Sequence, residues 1–249
     1  MDKSIWKKSY GSLPSLPCPR CGKSKLARKG EIQREEPAHI TRELEKQGLQ
    51  GDCSEGSFVA FMVCKGTFCG ELVTVAGDYR WDEHFHAGED GEEESYTTYD
   101  YRIFSMRPGP PLIEVPKQLN DDAKRHLKKA FELFWTDFAS CANRLRIVVE
   151  YLLDQFNIER DNAKGDPLNL ASRIEKLTKT RPELAIYLNA LRWLGNAGSH
   201  DGIVDFDDLI SCFDMLEHAM IELLEGRDEK RRAEANRIIA AKGKPDARR

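Results

Sequence analysis

The chain has 249 residues, of which 40% are hydrophobic and 32% charged, and its formal net charge is −4. No apolar run approaches the roughly 18 residues of a membrane span, and the first residues lack the apolar core of a secretory signal. We therefore expect a cytoplasmic protein that does not enter a membrane, with enough residues for one sizeable core or two smaller ones.

Seven cysteines occur in the chain, and this odd number argues against a disulfide framework. Cys18 and Cys21 form a Cys-x-x-Cys pair followed by glycine, and Cys64 and Cys69 form a second pair with four residues between them. Such turns direct two thiolates at one ion, and the glycine allows the tight backbone. We predict one structural Zn²⁺ bound by all four thiolates, because such a site leaves no open position for catalysis.

The two pairs are separated by 42 residues, which is longer than a minimal zinc ribbon. We therefore expect an inserted loop or small helix around residues 39–47. Cys53 lies in this insert, either as a replacement ligand or as a free thiol. His84 and His86 are outside candidates, with an ordinary surface role as the alternative. Four reduced thiols without a metal remain an alternative for the whole site.

Apolar runs beside the second pair predict β-strands at residues 57–64 and 71–77, and a Tyr- and Thr-rich segment predicts a third at 96–104. The stretch 82–100 contains eight acids and no Lys or Arg. We predict that its part with two glycines, between the second and third strands, is a mobile loop. Residues 1–107 are thus predicted to be a small β-rich zinc-ribbon domain with an inserted loop.

A proline-rich linker is predicted at residues 108–117, since its four prolines exclude a helix. Apolar residues then recur at steps of three and four from Leu127 to Phe156, which predicts one long helix or a kinked pair. An Asn-Asp-Asp segment at 120–122 is a suitable cap and acidic first turn. Cys141 falls on the apolar stripe and is expected to be buried.

Three further helices are predicted to complete an all-α four-helix bundle over residues 118–226. Asp166-Pro167 and Pro182 place proline at a first helical position. Asp205 begins the last helix, which contains the apolar Cys212 and ends at Gly226. The predicted fold class is therefore α+β, followed by a basic tail at 227–249 that either contacts nucleic acid or is only solvated.

The third of these helices has two opposed faces. At 100° per residue, one face carries Leu184, Tyr187, Leu188, Leu191 and Leu194. The other face carries Ala185, Asn189, Arg192, Asn196, Ser199 and His200. A helix that faces only solvent uses Lys and Glu more often, so we expect this stripe to face a polar partner.

At these residues the chain resembles the domain of unknown function 4145, a HEPN-like bacterial family. The shared pattern is Arg192, then Gly195-Asn196, small residues and His200. An earlier helix of the family carries an Arg and a Glu one turn apart, which corresponds here to Arg146 and Glu150 as structural partners. The resemblance covers about residues 112–225, and family members often carry an N-terminal zinc ribbon.

The HEPN superfamily includes metal-independent ribonucleases, usually dimers, of toxin–antitoxin, restriction and phage-defence systems. The resemblance implies a homodimer, with RNA, DNA or a defence-system protein as partner. It makes Arg192, Asn196 and His200 the candidate catalytic residues, because imidazole moves protons and guanidinium binds phosphate.

The candidate motif departs from the enzymes' Arg-x(4–6)-His pattern, because seven residues separate Arg192 from His200. On one helix they lie about 12 Å apart along the axis. One phosphate could be shared only if His200 folds back, which Gly198 and Gly202 would permit. The alternative is a structural role that ties the helix end to Glu150 or to another helix.

Three functions are consistent with these patterns. The first is a zinc-binding HEPN-like module, nucleic-acid-associated or regulatory, in a bacterial defence, restriction or toxin–antitoxin system. The second is an active metal-independent endoribonuclease, and the third is a protein–protein adaptor. The sequence contains neither a glycine-rich phosphate loop nor a GxSxG nucleophile elbow.

Overall fold

The computed structural model describes residues 2–48, 54–87, 93–200 and 202–242. Within them, a four-stranded antiparallel sheet precedes a set of helices, which confirms the α+β class. The chain forms two compact units. We call Asp2–Leu112 with Phe131–Phe138 the sheet unit, and Ile113–Ala130 with Ala139–Arg249 the helical unit.

The sheet follows chain order, and its four strands are β1 (Leu26–Glu35), β2 (Glu55–Cys64), β3 (Leu72–Ala87) and β4 (Glu93–Arg107). In β2, buried and exposed side chains alternate, with Phe58, Ala60 and Met62 on the buried inner face. Alternation of this kind is typical of an antiparallel sheet with one face on a core and one face in water.

Two features of the sheet differ from the sequence prediction. β1 was not predicted, because its mostly polar residues lack an apolar alternation, yet it pairs with β2 from Leu26 to Glu35. The mobile loop is wrong for residues 82–87 and 93–95, which pair across β3 and β4. Cross-strand pairs such as His84 with Tyr96 supply contacts that are invisible in one segment alone. The two glycines of this stretch lie outside the described residues.

The insert between the cysteine pairs contains α1 (Ala38–Lys46), which confirms a small helix there. Cys53 lies outside the described residues.

On the inner face of the sheet, the Arg34 guanidinium lies 4.2 Å from the ring centroid of Tyr99 and donates to the hydroxyl of Tyr101. The cation–π contact and the hydrogen bond of Arg34 thus attach the polar half of β1 to the aromatic residues of the core.

In the described residues, six helices follow the sheet: α2 (Asp121–Thr136), α3 (Phe138–Gln155), α4 (Leu170–Thr178), α5 (Pro182–His200), α6 (Phe206–Glu225) and α7 (Arg227–Ala240). The apolar stripe from Leu127 to Phe156 therefore runs over two consecutive helices, α2 and α3, which is the predicted kinked pair. α5 and α6 begin as predicted, with Pro182 in the first turn and Asp205 as N-cap, and Gly226 ends α6 in the left-handed conformation. Among the described residues, no helix is long and apolar enough to cross a membrane.

The predicted start of the second helix is wrong. Pro167 pairs with Asp161 in an isolated bridge, and α4 begins only at Leu170, after the N-cap Asn169. The Asn162 side chain accepts hydrogen bonds from the backbone of Lys164 and Asp166, which holds the chain in a turn. This local turn competes with helix at Pro167.

Residues 108–116 form neither helix nor strand; residues up to Leu112 belong to the sheet unit. Cys141 and Cys212 are buried, as predicted, and the Cys141 thiol donates to the Ala130 carbonyl. The residues of α7 are mostly exposed, with none buried. The core of the helical unit therefore comes mainly from α2 to α6.

Two glycines of α5 lie in close contact with α3. A Cβ atom on Gly195 would lie 2.6 Å from Arg146 Cβ and 3.1 Å from the Ala142 carbonyl oxygen. A Cβ atom on Gly198 would lie 2.7 Å from the Ala139 carbonyl oxygen. The glycines of the family-like pattern therefore permit close packing of these two helices.

We expect Gly195→Ala to destabilise the helical unit by about 1–3 kcal/mol, because it overpacks the contact with α3. Alanine has a helix propensity about 1 kcal/mol more favourable than that of glycine. However, the Arg146 Cβ and the Ala142 carbonyl oxygen cannot move aside unless the backbone of α3 moves with them. Chemical denaturation followed by circular dichroism at the helix band measures this change. The exposed Glu175→Ala on α4 serves as control and should stay within about 0.5 kcal/mol. A more stable Gly195→Ala would contradict the close packing.

A partly buried ion pair joins α3 and α4. Arg173, only 3% exposed, donates to Asp154 at 2.6 Å and to the Ile158 carbonyl at 2.7 Å. Arg160 also donates to Asp154 through two nitrogens. Although burial raises the pKa of Asp154, the hydrogen bonds from Arg160 and Arg173 lower it below the usual value. The carboxylate form thus stabilises this corner of the helical unit.

We expect Asp154→Asn to reduce the free energy of unfolding by about 1.5–3 kcal/mol at pH 7. The wild-type contribution is complete above the unfolded Asp pKa of about 3.9 and is lost as pH falls through the lower folded pKa. The difference between variant and wild type should therefore shrink below about pH 4. Denaturant titrations at neutral and acidic pH measure it, with the exposed Asp122→Asn as control. A difference independent of pH would contradict the pair's role.

Candidate metal centre and the polar face of helix α5

The four cysteines predicted as ligands meet in the sheet unit. The Sγ atoms of Cys18, Cys21, Cys64 and Cys69 all lie within 4.8 Å of one another. Two of the Sγ–Sγ distances are 3.7 Å, between Cys18 and Cys69 and between Cys21 and Cys64. Four sulfurs at about 2.3 Å from one tetrahedral ion would be about 3.8 Å apart. The cluster can therefore hold one metal ion, and a four-thiolate set suits Zn²⁺.

Backbone hydrogen bonds hold both cysteine turns. Cys18 N donates to the Ser24 carbonyl at 2.8 Å, and Cys64 N donates to the Glu71 carbonyl at 2.9 Å. Gly22 and Gly70, each directly after the last cysteine of its pair, have φ values of 62° and 61°. Only glycine adopts this conformation at no steric cost, so each turn requires its glycine to place the thiols.

The thiols differ in their electrostatic surroundings. Burial raises the pKa of Cys18 to about 12, whereas backbone N–H groups of Ser24 and Lys23 lower the pKa of Cys21 to about 6. Gly66 N also donates to the Cys64 sulfur at 3.3 Å. A bound cation compensates the cost of ionising the buried thiol, because metal binding needs all ligands deprotonated.

The other candidate ligands lie elsewhere. His84 Nε2 is 2.9 Å from Thr98 Oγ1, and His86 Nε2 is 3.1 Å from a carboxylate oxygen of Glu94, both in the β3–β4 hairpin. Among the residues that the structure describes, the cysteine cluster is the one group of three or more such ligands. The closed set of four sulfurs is therefore suited to a structural ion.

Helix α5 presents a half-buried polar face, as the periodicity predicts, except that Ala185 is buried. Arg192 Nε donates to Asn189 Oδ1 at 2.8 Å, and its guanidinium lies 4.3 Å from the ring centroid of Trp193. Asn196 is half-buried, and His200 is exposed at the end of the helix. Arg192 is thus held by neighbours on its own helix.

The fold-back of His200 that a shared phosphate would require is not observed. Helix α5 runs without interruption through His200, and Gly198 lies inside it against α3. Gly202 adopts a positive φ of 67°, but only after the helix has ended. The eight-residue step therefore leaves Arg192 and His200 about 12 Å apart along the axis.

Glu150 pairs within its own helix, with its carboxylate 3.3 Å from Arg146 Nη2. This i, i+4 pair is the arrangement predicted for the two structural partners. It lies beside the crossing with α5, since the Arg146 side chain also flanks Gly195. The pair therefore belongs to the packing of α3 against α5.

The sequence analysis missed an exposed apolar stripe on α5. Ile186 and Trp193 are 70% and 62% exposed. They are seven residues apart, which places them on one side of a helix. Their spacing was the available signal, but the stronger leucine periodicity of the opposite face obscured it.

Two family models match the chain, each over less than half of its 249 residues. Residues 7–104, which include the cysteine cluster, are similar to the family described as Domain of unknown function (DUF8608). Residues 128–239, which include the polar face of α5, are similar to Domain of unknown function (DUF4145), and this confirms the resemblance to that family. No curated protein and no solved structure matches the chain.

We expect purified protein to contain one Zn²⁺ per chain by elemental analysis, and Cys18→Ser with Cys21→Ser to lose it. Without the ion, the sheet unit should unfold at a lower denaturant concentration, because metal-binding free energy contributes to folding. Cys212→Ala, in the core of the helical unit, is the matched control and should retain the metal. Metal-free protein with unchanged unfolding would contradict the zinc site.

Proposed function

We propose that this protein is a zinc-ribbon, HEPN-like module that serves as a nucleic-acid-associated or regulatory component of a bacterial defence, restriction or toxin–antitoxin system. The closed four-sulfur cluster is the observation that carries the proposal, since its geometry suits a structural ion. Two of its cysteines, Cys18 and Cys21, lie in a basic segment, because residues 1–30 contain eight Lys or Arg and one acid. Positive surface of this kind favours contact with phosphates.

The geometry of α5 favours a binding role over catalysis. A HEPN-type ribonuclease needs Arg and His at one phosphate, whereas Arg192 and His200 lie about 12 Å apart along one continuous helix. Arg192 is also engaged by Asn189 and stacked on Trp193. A metal-independent ribonuclease is therefore the rival function, and its test uses these same residues.

The proposal includes a homodimer through the helical unit. The exposed Ile186 and Trp193 provide apolar surface beside the polar residues of α5. Interfaces are enriched in aromatic residues and Arg, and Arg192 lies over the Trp193 ring. A two-fold axis would place the same stripe of each copy against the other.

We expect the full chain to bind RNA without cutting it, in a buffer with enough EDTA to chelate Mg²⁺. Zinc content is measured before and after, so that loss of the closed site is not mistaken for inactivity. Arg192→Ala should lower the free energy of unfolding by about 1 kcal/mol through the lost hydrogen bond. His200→Ala should leave it within about 0.5 kcal/mol, because the side chain is exposed.

The exposed His39→Ala in the sheet unit serves as the matched control for His200→Ala. RNA cleavage in EDTA that His200→Ala abolishes, while His39→Ala retains it, would establish the ribonuclease instead. Loss of a general acid or base costs about 10²–10⁴ in rate, so gel analysis of a labelled RNA distinguishes the two outcomes. A chain that binds neither RNA nor DNA would contradict the nucleic-acid role.

A further inference from the structure

The outer face of the sheet, opposite the buried inner face, exposes large apolar side chains near the cysteine cluster. Phe61 and Val59 of β2 are each 51% exposed, and Leu72 of β3 is 43% exposed. Phe68, in the turn between Cys64 and Cys69, is completely exposed. Solvation of so much apolar surface on one sheet is unusual, and patches of this kind mark interaction sites.

Basic residues surround these side chains in the strand register. Directly opposed residues of antiparallel strands have their side chains on the same face. Lys29 opposes Phe61, Phe61 opposes Thr74, and Thr74 opposes Arg107. The row that crosses all four strands therefore carries the Phe61 ring, and it has one cation at each edge, Lys29 and Arg107.

The next rows toward the cysteines continue this pattern. Ala27, Val63 and Leu72 form an apolar row. Beyond it, Lys65 N donates to the Lys25 carbonyl at 3.0 Å, and alternation from the buried Leu26 and Cys64 places both lysines on the outer face. These three rows, all within the described part of the chain, contain four cations and no acid. A flanking carboxylate, that of Glu132, lies 3.8 Å from Arg107.

Most acidic residues of the outer face lie toward its other end, although the exposed Glu31 follows Lys29 in the register shift of β1. Glu35 and Asp78 both oppose Ser57, which lies two residues from Val59 on β2 and one row farther from the cysteines. Farther along, the β3–β4 hairpin adds the acids Asp82, Glu94 and Asp100. Arg80 and Arg102 oppose acids in these rows. The face therefore changes from basic and aromatic near the cysteines to an excess of acids at the hairpin end, which sets an electrostatic direction for an anionic ligand.

We propose that the basic end of the outer face, formed by Lys29, Phe61, Lys65, Phe68, Leu72 and Arg107, binds single-stranded nucleic acid. This inference rests on the proposed nucleic-acid role and assigns it to a surface. Exposed rings provide platforms on which unpaired bases stack, while the surrounding cations contact the backbone phosphates. A pleated face with rings standing out of it cannot stack on bases that are paired inside a duplex.

The same chemistry disfavours a protein partner. An acidic peptide would satisfy the cations but would gain little from the exposed rings of Phe61 and Phe68. Unpaired nucleotides have an anionic backbone and planar bases, so they match both features at once. The face does not distinguish RNA from DNA, because phosphates and base faces are common to both.

The experiment measures fluorescence anisotropy of labelled oligo(U) and oligo(dT), each about 20 nucleotides long, with the zinc-loaded full chain at about 50 mM salt. Phe61→Ala combined with Phe68→Ala should weaken binding about tenfold or more, because two stacked bases are lost. Phe85→Ala with Tyr96→Ala, two exposed aromatics at the acidic end, is the matched control and should bind like wild type.

A second pair of variants tests the cations. Lys29→Gln with Lys65→Gln should reduce the salt dependence of log K by about 1.4, since each phosphate contact contributes about 0.7 on single strands. The control with the same charge change is Lys230→Gln with Arg232→Gln on α7. Zinc content and circular dichroism verify that every variant is folded, and the charge variants test the face even if the aromatic pair fails to fold.

Tighter binding of oligo(U) than of oligo(dT) identifies RNA as the natural source, and the reverse identifies DNA; both support the face. Wild-type affinity in both face variants, with weakened α7 variants, overturns the face and leaves the proposed function intact. Failure of the wild type to bind either oligonucleotide overturns both proposals. Preferred binding of a duplex, or displacement by polyglutamate at equal charge concentration, also overturns the face.

Discussion

The sheet unit depends on the meeting of two cysteine pairs that are far apart in the chain. Cys18 and Cys21 precede β1, Cys64 ends β2, and Cys69 precedes β3, so one cluster joins the ends of three strands. Four close sulfurs, two of them in buried cysteines, favour a cation that compensates their charge. Sheet pairing brings the turns together, and the cluster in turn fixes the ends of the strands.

That arrangement also determines what the sheet can expose. The inner face of the sheet packs into the core of the sheet unit. The outer face leaves Phe61 and Leu72 exposed to solvent, with Lys29 and Arg107 in the neighbouring positions of the register. Contiguous exposed apolar surface of this kind marks an interaction site. The separation of basic and acidic rows along the same strands restricts such a partner to one end.

The helical unit uses its family-like pattern first for packing. Gly195 and Gly198 allow α5 to approach α3, and Arg146 flanks the contact while it pairs with Glu150. The polar residues of the pattern remain at the surface of the same helix, with Arg192 held over Trp193. Packing therefore explains the glycines, while the Arg and His remain available to a ligand or a second copy.

Features that depend on neighbours within a few residues could be predicted from the sequence. These were the cysteine turns, the leucine face of α5, the start of α5 at Pro182, the caps of α6, and the burial of Cys141 and Cys212. Features that need a distant partner could not be predicted, because they form only when remote segments pack together. β1 and the long β3–β4 hairpin are polar segments that become strands through cross-strand pairing, and Pro167 lies in a bridge instead of a helix. The exposed rings of the sheet followed the same rule, because alternation assigns a residue to a face and only packing leaves that face in water.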